Sequence, residues 1–314
     1  MKTKGWIDFR PDMNKSPKSK RVLIFIIITA SIGWISVRLW DGFDQISATV
    51  SSLEPSYLFL SLVPAMVSAF LSAYIYSLVL SRTVAEEPPL PHVMRHFIVS
   101  QVVRHLPGKI WGVFYQVNAM AKWVLGRATV QANFEHYALL NYNAIAIALS
   151  VFALLKYGMF VSLGVYSSTL LLLFVALKTD FLSLIMSIIT KVFSGSKEPF
   201  ERCIKKNNNL LIMSLLQVDW FFYLLTCLII LPAFTSLKDA LIIGTCYAIA
   251  WFVGAMTIIL PGGVVVREAS FLWITGLFGF GPVEMFIFSI VARTLFTLAD
   301  VLCALLAVSV VRDS

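Results

Sequence analysis

Apolar positions in this chain come in long blocks and not in strict alternation. Val22 to Trp40, Tyr57 to Leu80, Glu135 to Leu155, Met159 to Leu177, Leu210 to Leu231 and Pro282 to Val311 are each mainly apolar. Each is close to the roughly 20 residues that cross a bilayer as a helix. The pattern predicts an all-α polytopic integral membrane protein with about six full transmembrane spans. Two further segments are interrupted, which makes them broken or re-entrant helices. In 92–125 a polar stretch carrying Arg95, His96, Gln101, Arg104 and His105 ends at Pro107-Gly108, and Lys109 precedes a second apolar stretch, Ile110 to Leu125. In 240–280 an uncharged run from Ala240 stops at Pro261-Gly262-Gly263, and a shorter one resumes at Ala269 beyond Arg267-Glu268.

The two breaks share a chemistry. Proline removes a backbone donor and glycine opens the turn. In hydrocarbon the freed backbone groups must face protein or a wet cavity. Interrupted segments in corresponding places of two halves point to a transporter's substrate site. Segment 92–125 fits a hairpin entering and leaving on the cytoplasmic side, or an interfacial helix followed by one ordinary span. If 240–280 enters from the outside, the breaks approach the midplane from opposite faces, as in an inverted repeat. The chain then divides into a basic N-terminus (1–21), a membrane half (22–193), a basic loop (194–209) and a second membrane half (210–314). Trp34, Arg38 and Trp40 make the first run a retained anchor and not a cleaved signal.

Composition agrees with the pattern. The 314 residues are 59% hydrophobic and 13% charged, against about 25% charged in soluble domains. The net charge of +8 sits in the N-terminus and short loops, which orients the chain with its N-terminus in the cytoplasm. Cys203, Cys227, Cys246 and Cys303 lack the spacing of a zinc site or a disulfide framework. No HExxH, Walker or acidic-pair motif is present, so no metal, cofactor or catalytic residue is expected.

Arg267 and Glu268 are the first candidates for chemistry. Adjacent on a helix, their side chains diverge by about 100°, so the expected pairs are Arg267 with Asp219 or Asp300, and Glu268 with Arg293. Arg293 and Asp300 are two turns apart and share a helix face. One alternative is that these groups, with Glu284, only satisfy one another and brace the broken helix. The other is that an arginine remains for an anionic headgroup, for which the planar guanidinium fork is suited. Asn141 and Asn143 either line a polar cavity or bond a neighbouring helix. Arg104 and Lys109 flank the first break, where exposed helix-start amides bind anions; snorkelling to cytoplasmic headgroups is the simpler alternative.

The stretch Pro261-Gly262-Gly263-Val264-Val265-Val266-Arg267-Glu268-Ala269 resembles the P-G-G-x-G-x-R-E-A motif of the lysylphosphatidylglycerol synthase transmembrane region, the flippase-like family. Arg104-His105-Leu106-Pro107-Gly108-Lys109-Ile110-Trp111 is similar to its R-Y-x-P-G-x-x-W stretch. Val265 replaces the third glycine and His105 the tyrosine. The resemblance covers roughly 20–311 and implies a polytopic bundle in a bacterial or archaeal cytoplasmic membrane, without the soluble aminoacyl-transfer domain of the larger synthases. It also implies translocation of an anionic phospholipid or polyprenyl-phosphate-linked substrate for envelope lipid or glycan assembly. A membrane scaffold or accessory subunit for an envelope-biosynthesis enzyme is the second reading, and a lipid-linked glycosyltransferase a weaker third. Neither nucleic acid nor a cofactor enters any of them.

Overall fold

Long uncharged runs satisfy their backbone in lipid only by coiling, and those the structure describes do so. A computed structural model describes residues 54–84, 86–103, 110–179, 208–231, 236–256 and 264–311. Among these residues there are nine α-helices and no strand. In order they are α1 (Pro55–Ser81), α2 (Leu90–Val103), α3 (Ile110–Ala119), α4 (Gly126–Tyr157), α5 (Met159–Lys178), α6 (Asn209–Ile230), α7 (Leu237–Met256), α8 (Val264–Gly276) and α9 (Pro282–Val310). Six are long and apolar enough to span: α1, α4, α5, α6, α9 and the Leu237–Gly254 part of α7. The protein is a multi-pass helical membrane protein. The expected span Val22–Trp40, the N-terminus 1–21 and most of the loop 194–209 lie outside the described residues, as do both breaks, Arg104–Lys109 and Pro261–Gly263.

Two elements differ from the hydropathy pattern. Helix α4 begins at Gly126, ahead of the expected Glu135, and runs for 32 residues, about 48 Å at the helical rise. Its first turns carry Gln131, Asn133, Glu135 and His136, all buried. Hydrogen bonds to other helices stabilise polar residues there that a hydropathy window reads as loop. The second broken segment is also unequal. Its first part, in α7, is long enough to cross, whereas α8 has only 13 residues.

The packing defines two ends. In one core Tyr76 and Leu80 from the C-terminal half of α1 meet Ile212 and Leu216 near the start of α6, Phe97 of α2 and Cys303 near the end of α9. In the other, Cys227 and Ile230 near the end of α6 meet Tyr247 of α7, Phe271 of α8 and Phe288 near the start of α9, with Leu58 of α1 packed on them. Helices α1 and α6 are therefore antiparallel, and the α2–α3 and α7–α8 hairpins occupy opposite ends of the bundle.

An internal repeat underlies this. Matching α1, α2, α3 and α4 with α6, α7, α8 and α9 carries the packing onto itself. The contacts α1–α2, α2–α3, α3–α4 and α1–α4 answer to α6–α7, α7–α8, α8–α9 and α6–α9. Across the halves, α2–α9 and α1–α9 answer to α7–α4 and α6–α4, and α1–α6 answers to itself. Helix α5 has no counterpart among the described residues; it packs on α4 and α6. The matched helices α1 and α6 run antiparallel, which gives this repeat an inverted sense.

Candidate functional site

The second hairpin holds a compact charged group. Arg267 and Glu268 lie one turn into α8, and Arg293 comes from α9. Arg267 donates from Nη2 to Glu268 Oε1 at 2.6 Å and from Nε to the same oxygen at 3.2 Å. Arg293 Nη1 stands 3.6 Å from that oxygen. The Arg267 guanidinium also lies over the Tyr247 ring, 5.3 Å from its centroid, a favourable cation–π position. Arg267 and Glu268 are mostly enclosed, with 13% and 7% of their side chains exposed, while Arg293 is 32% exposed. Two permanent cations thus converge on one oxygen of one carboxylate, leaving a formal excess of one positive charge.

Unmet polar atoms surround the trio. Glu268 Oε2, the Tyr247 hydroxyl and Ser289 Oγ are buried without a hydrogen-bond partner among the described residues. Ser289 is one turn from Arg293 on α9 and so lies on the same face. Buried polar groups are normally satisfied, and exceptions mark function or strain. The arrangement can present guanidinium N–H groups, a hydroxyl pair and a carboxylate oxygen to one polar ligand.

Several expected pairings are replaced by others. Adjacent Arg267 and Glu268 do bond, because the long arginine stem folds back past the divergence of their α-carbons. Arg267 reaches neither Asp219 nor Asp300. Asp219 instead accepts a 2.6 Å hydrogen bond from Ser68 Oγ on α1, and Asp300 is half-buried farther along α9. The Glu268–Arg293 contact matches the expectation. Glu284 lies apart from the trio. It folds back over the first turn of α9, so close to Gly281 that a β-carbon there would collide with its carboxylate, where a negative charge complements the helix dipole. Asn141 bonds the Tyr137 carbonyl of its own helix. Asn143 donates to the Leu216 carbonyl of α6 and accepts from Gln217, which in turn accepts from Tyr166 of α5. Asn143 thus bonds a neighbouring helix, the second of the two roles open to it, whereas Asn141 bonds only within its own helix.

Arg104, Pro107, Gly108, Lys109, Pro261, Gly262 and Gly263 lie outside the described residues. What the structure places at the first hairpin is a polar network that the sequence reading did not single out. Gln116 of α3 donates to Ser100 of α2 at 2.5 Å. Asn133 of α4 donates to Gln116 Oε1 at 2.5 Å and to the Tyr76 hydroxyl at 3.3 Å. Gln131 donates to Glu135 at 2.8 Å, and Ser72 of α1 meets His136 Nε2 at 3.3 Å. The available signal was Gln131 and Glu135 one helical turn apart, a spacing that puts them on one helix face. No protein-family model matches the sequence, and no curated protein matches it.

Proposed function

We propose that this protein moves an anionic lipid headgroup across the cytoplasmic membrane of a bacterium or archaeon, for envelope lipid or glycan assembly. The observation that carries the reading is the convergence of Arg267 and Arg293 on a single Glu268 oxygen. One carboxylate cannot saturate two guanidiniums, so N–H donors and a positive charge remain for a phosphate or similar anion. Moving a charge through the bilayer centre costs at least about 2.5–3.5 kcal/mol. A polar path between two broken helices lowers that barrier while the acyl chains stay in lipid. Opposed hairpins on an inverted repeat supply the architecture for such a path. The likeness of both broken stretches to the flippase-like family belongs to the same proposal, with Arg104 and Lys109 admitting the headgroup from the cytoplasmic leaflet. Cytoplasmic placement of the basic segments 1–21 and 194–209 sets the orientation.

The test is leaflet-to-leaflet movement of labelled lipids in liposomes containing the purified protein. Anionic, zwitterionic and polyprenyl-phosphate headgroups are compared for wild type, Arg267→Ala and Arg293→Ala. Each substitution leaves Glu268 one guanidinium partner, so both proteins should fold and both should lose movement of the anionic class. A folded, fully active Arg267→Ala protein would falsify the site. Absence of movement for every headgroup in wild type would turn the reading to a scaffold or accessory subunit.

A further inference from the structure

Asp219 is the carboxyl group that the charged trio leaves aside. It is buried and lies at the middle of α6, while its hydrogen-bond partner Ser68 lies at the middle of α1. These helices form the one pair that the repeat maps onto itself, so the Ser68–Asp219 bond joins their midpoints beside the pseudo-twofold axis. In α6 ten residues precede Asp219 and eleven follow it, about 15–16 Å of helix on each side, close to half the roughly 30 Å hydrocarbon thickness. The carboxyl therefore sits at the level where a fixed charge is hardest to hold. The two apolar cores end on either side of it: Leu216 belongs to one and Cys227 to the other.

Among the described residues no ion pair compensates it. Helix α1 carries no charged side chain. On the other helices packed against α6, several ionisable groups face residues other than Asp219. His136 of α4 meets Ser72, Tyr166 of α5 bonds Gln217, and Tyr247 of α7 lies beneath Arg267. On α9, Arg293 faces Glu268, and Asp300 makes no contact with Asp219. Among the described residues the carboxyl has one hydrogen bond and no ion pair. One hydroxyl suffices for a neutral carboxylic acid and is far too little for a carboxylate at that depth.

Polar groups lead away from it in both directions. Along α1, Ser68, Ser72 and Tyr76 follow at one-turn spacing. Ser72 meets His136, and the Tyr76 hydroxyl accepts from Asn133 in the network of the first hairpin. Along α6, Tyr223 follows Asp219 by one turn and packs in the core of the second hairpin beside Tyr247. Buried ionisable residues in membrane spans mark proton relays, and this file sets Asp219 and His136 against α1 hydroxyls one turn apart.

We infer that Asp219 is a proton-carrying site that couples lipid movement to the transmembrane proton gradient. The carboxyl gains a proton from the file on one side and gives it to the file on the other; no bond of the lipid changes. This rests on the translocation reading. The experiment measures movement of the labelled anionic lipid in proteoliposomes with and without an imposed pH gradient, for wild type, Asp219→Asn and Asp219→Glu. The expected result is a rate that responds to the gradient in wild type and Asp219→Glu, with the response lost in Asp219→Asn. Wild-type movement indifferent to the gradient would overturn the coupling and leave translocation standing. A gradient response kept in Asp219→Asn would assign the proton site elsewhere and equally overturn it. If no lipid moves under any condition, translocation itself fails and coupling with it. Should Asp219→Asn not fold, Ser68→Ala takes its place, because it removes the carboxyl's one hydrogen bond; a response identical to wild type would then overturn the proposal.

Discussion

The two helical hairpins occupy matched places in the repeat and opposite ends of the bundle, yet their polar chemistry differs. Around α2 and α3 the polar groups are mainly neutral and bonded across helices, in the run Ser100–Gln116–Asn133–Tyr76. Around α7 and α8 they are ionic, with two guanidiniums sharing one oxygen and a second carboxylate oxygen left unmet. A satisfied neutral network fixes helices relative to one another. An unsaturated ionic cluster retains capacity for a ligand. The same architecture thus carries an amide-and-hydroxyl network at one end and an ionic candidate binding group at the other, and the difference in these contacts lies in charge.

The strongest way to break the comparison is Glu268→Ala. It leaves two neighbouring guanidiniums without a shared anion, and loss of one partner from a buried ionic group costs about 3–5 kcal/mol. Thermal unfolding in detergent should show a large drop, well beyond that of Arg267→Ala, which keeps the Glu268–Arg293 contact. Next comes Asn133→Leu at the other hairpin. It strips the donor from Gln116 Oε1, and an unsatisfied buried group costs about 1–3 kcal/mol. Stability should fall while lipid movement by the folded fraction stays normal. Loss of movement there at normal stability would show that the first hairpin also contacts the headgroup.

Smaller effects sharpen the boundary between bracing and binding. Asn143→Ala removes a bond between α4 and α6, and interhelical hydrogen bonds in membranes average about 0.6 kcal/mol. Asn141→Ala removes only a bond within its own helix, so the change should stay within about 0.5 kcal/mol. Unfolding of the two variants side by side checks the order. A larger cost at Asn141 would mean that its side chain does more than bond the Tyr137 carbonyl.

Much of the architecture was legible from hydropathy. Leu210 to Leu231 and Met159 to Leu177 differ from α6 and α5 by a residue or two, because a lipid-facing helix must be apolar along its whole length. The start of α4 was not legible. Gln131, Asn133 and Glu135 resemble loop residues until Gln116 and Tyr76 are brought against them. At the charged site, Arg267, Glu268 and Arg293 stood out because charge in an apolar run is costly and therefore informative. Their partners did not. Whether Arg267 would reach Asp219, Asp300 or its own neighbour depended on rotamers and helix placement, which spacing along the chain does not specify.

The sequence by itself determined that this protein is helical and crosses a membrane several times, since these follow from local hydropathy and backbone chemistry. Only the tertiary structure decided that the hairpins sit at opposite ends, that α1 and α6 meet at Ser68 and Asp219, and that two arginines share one carboxylate oxygen. Those are relations between segments as far apart as Ser68 and Asp219, 151 residues. They arise from packing and from hydrogen-bond satisfaction in three dimensions, where distance along the chain has no bearing on distance in space.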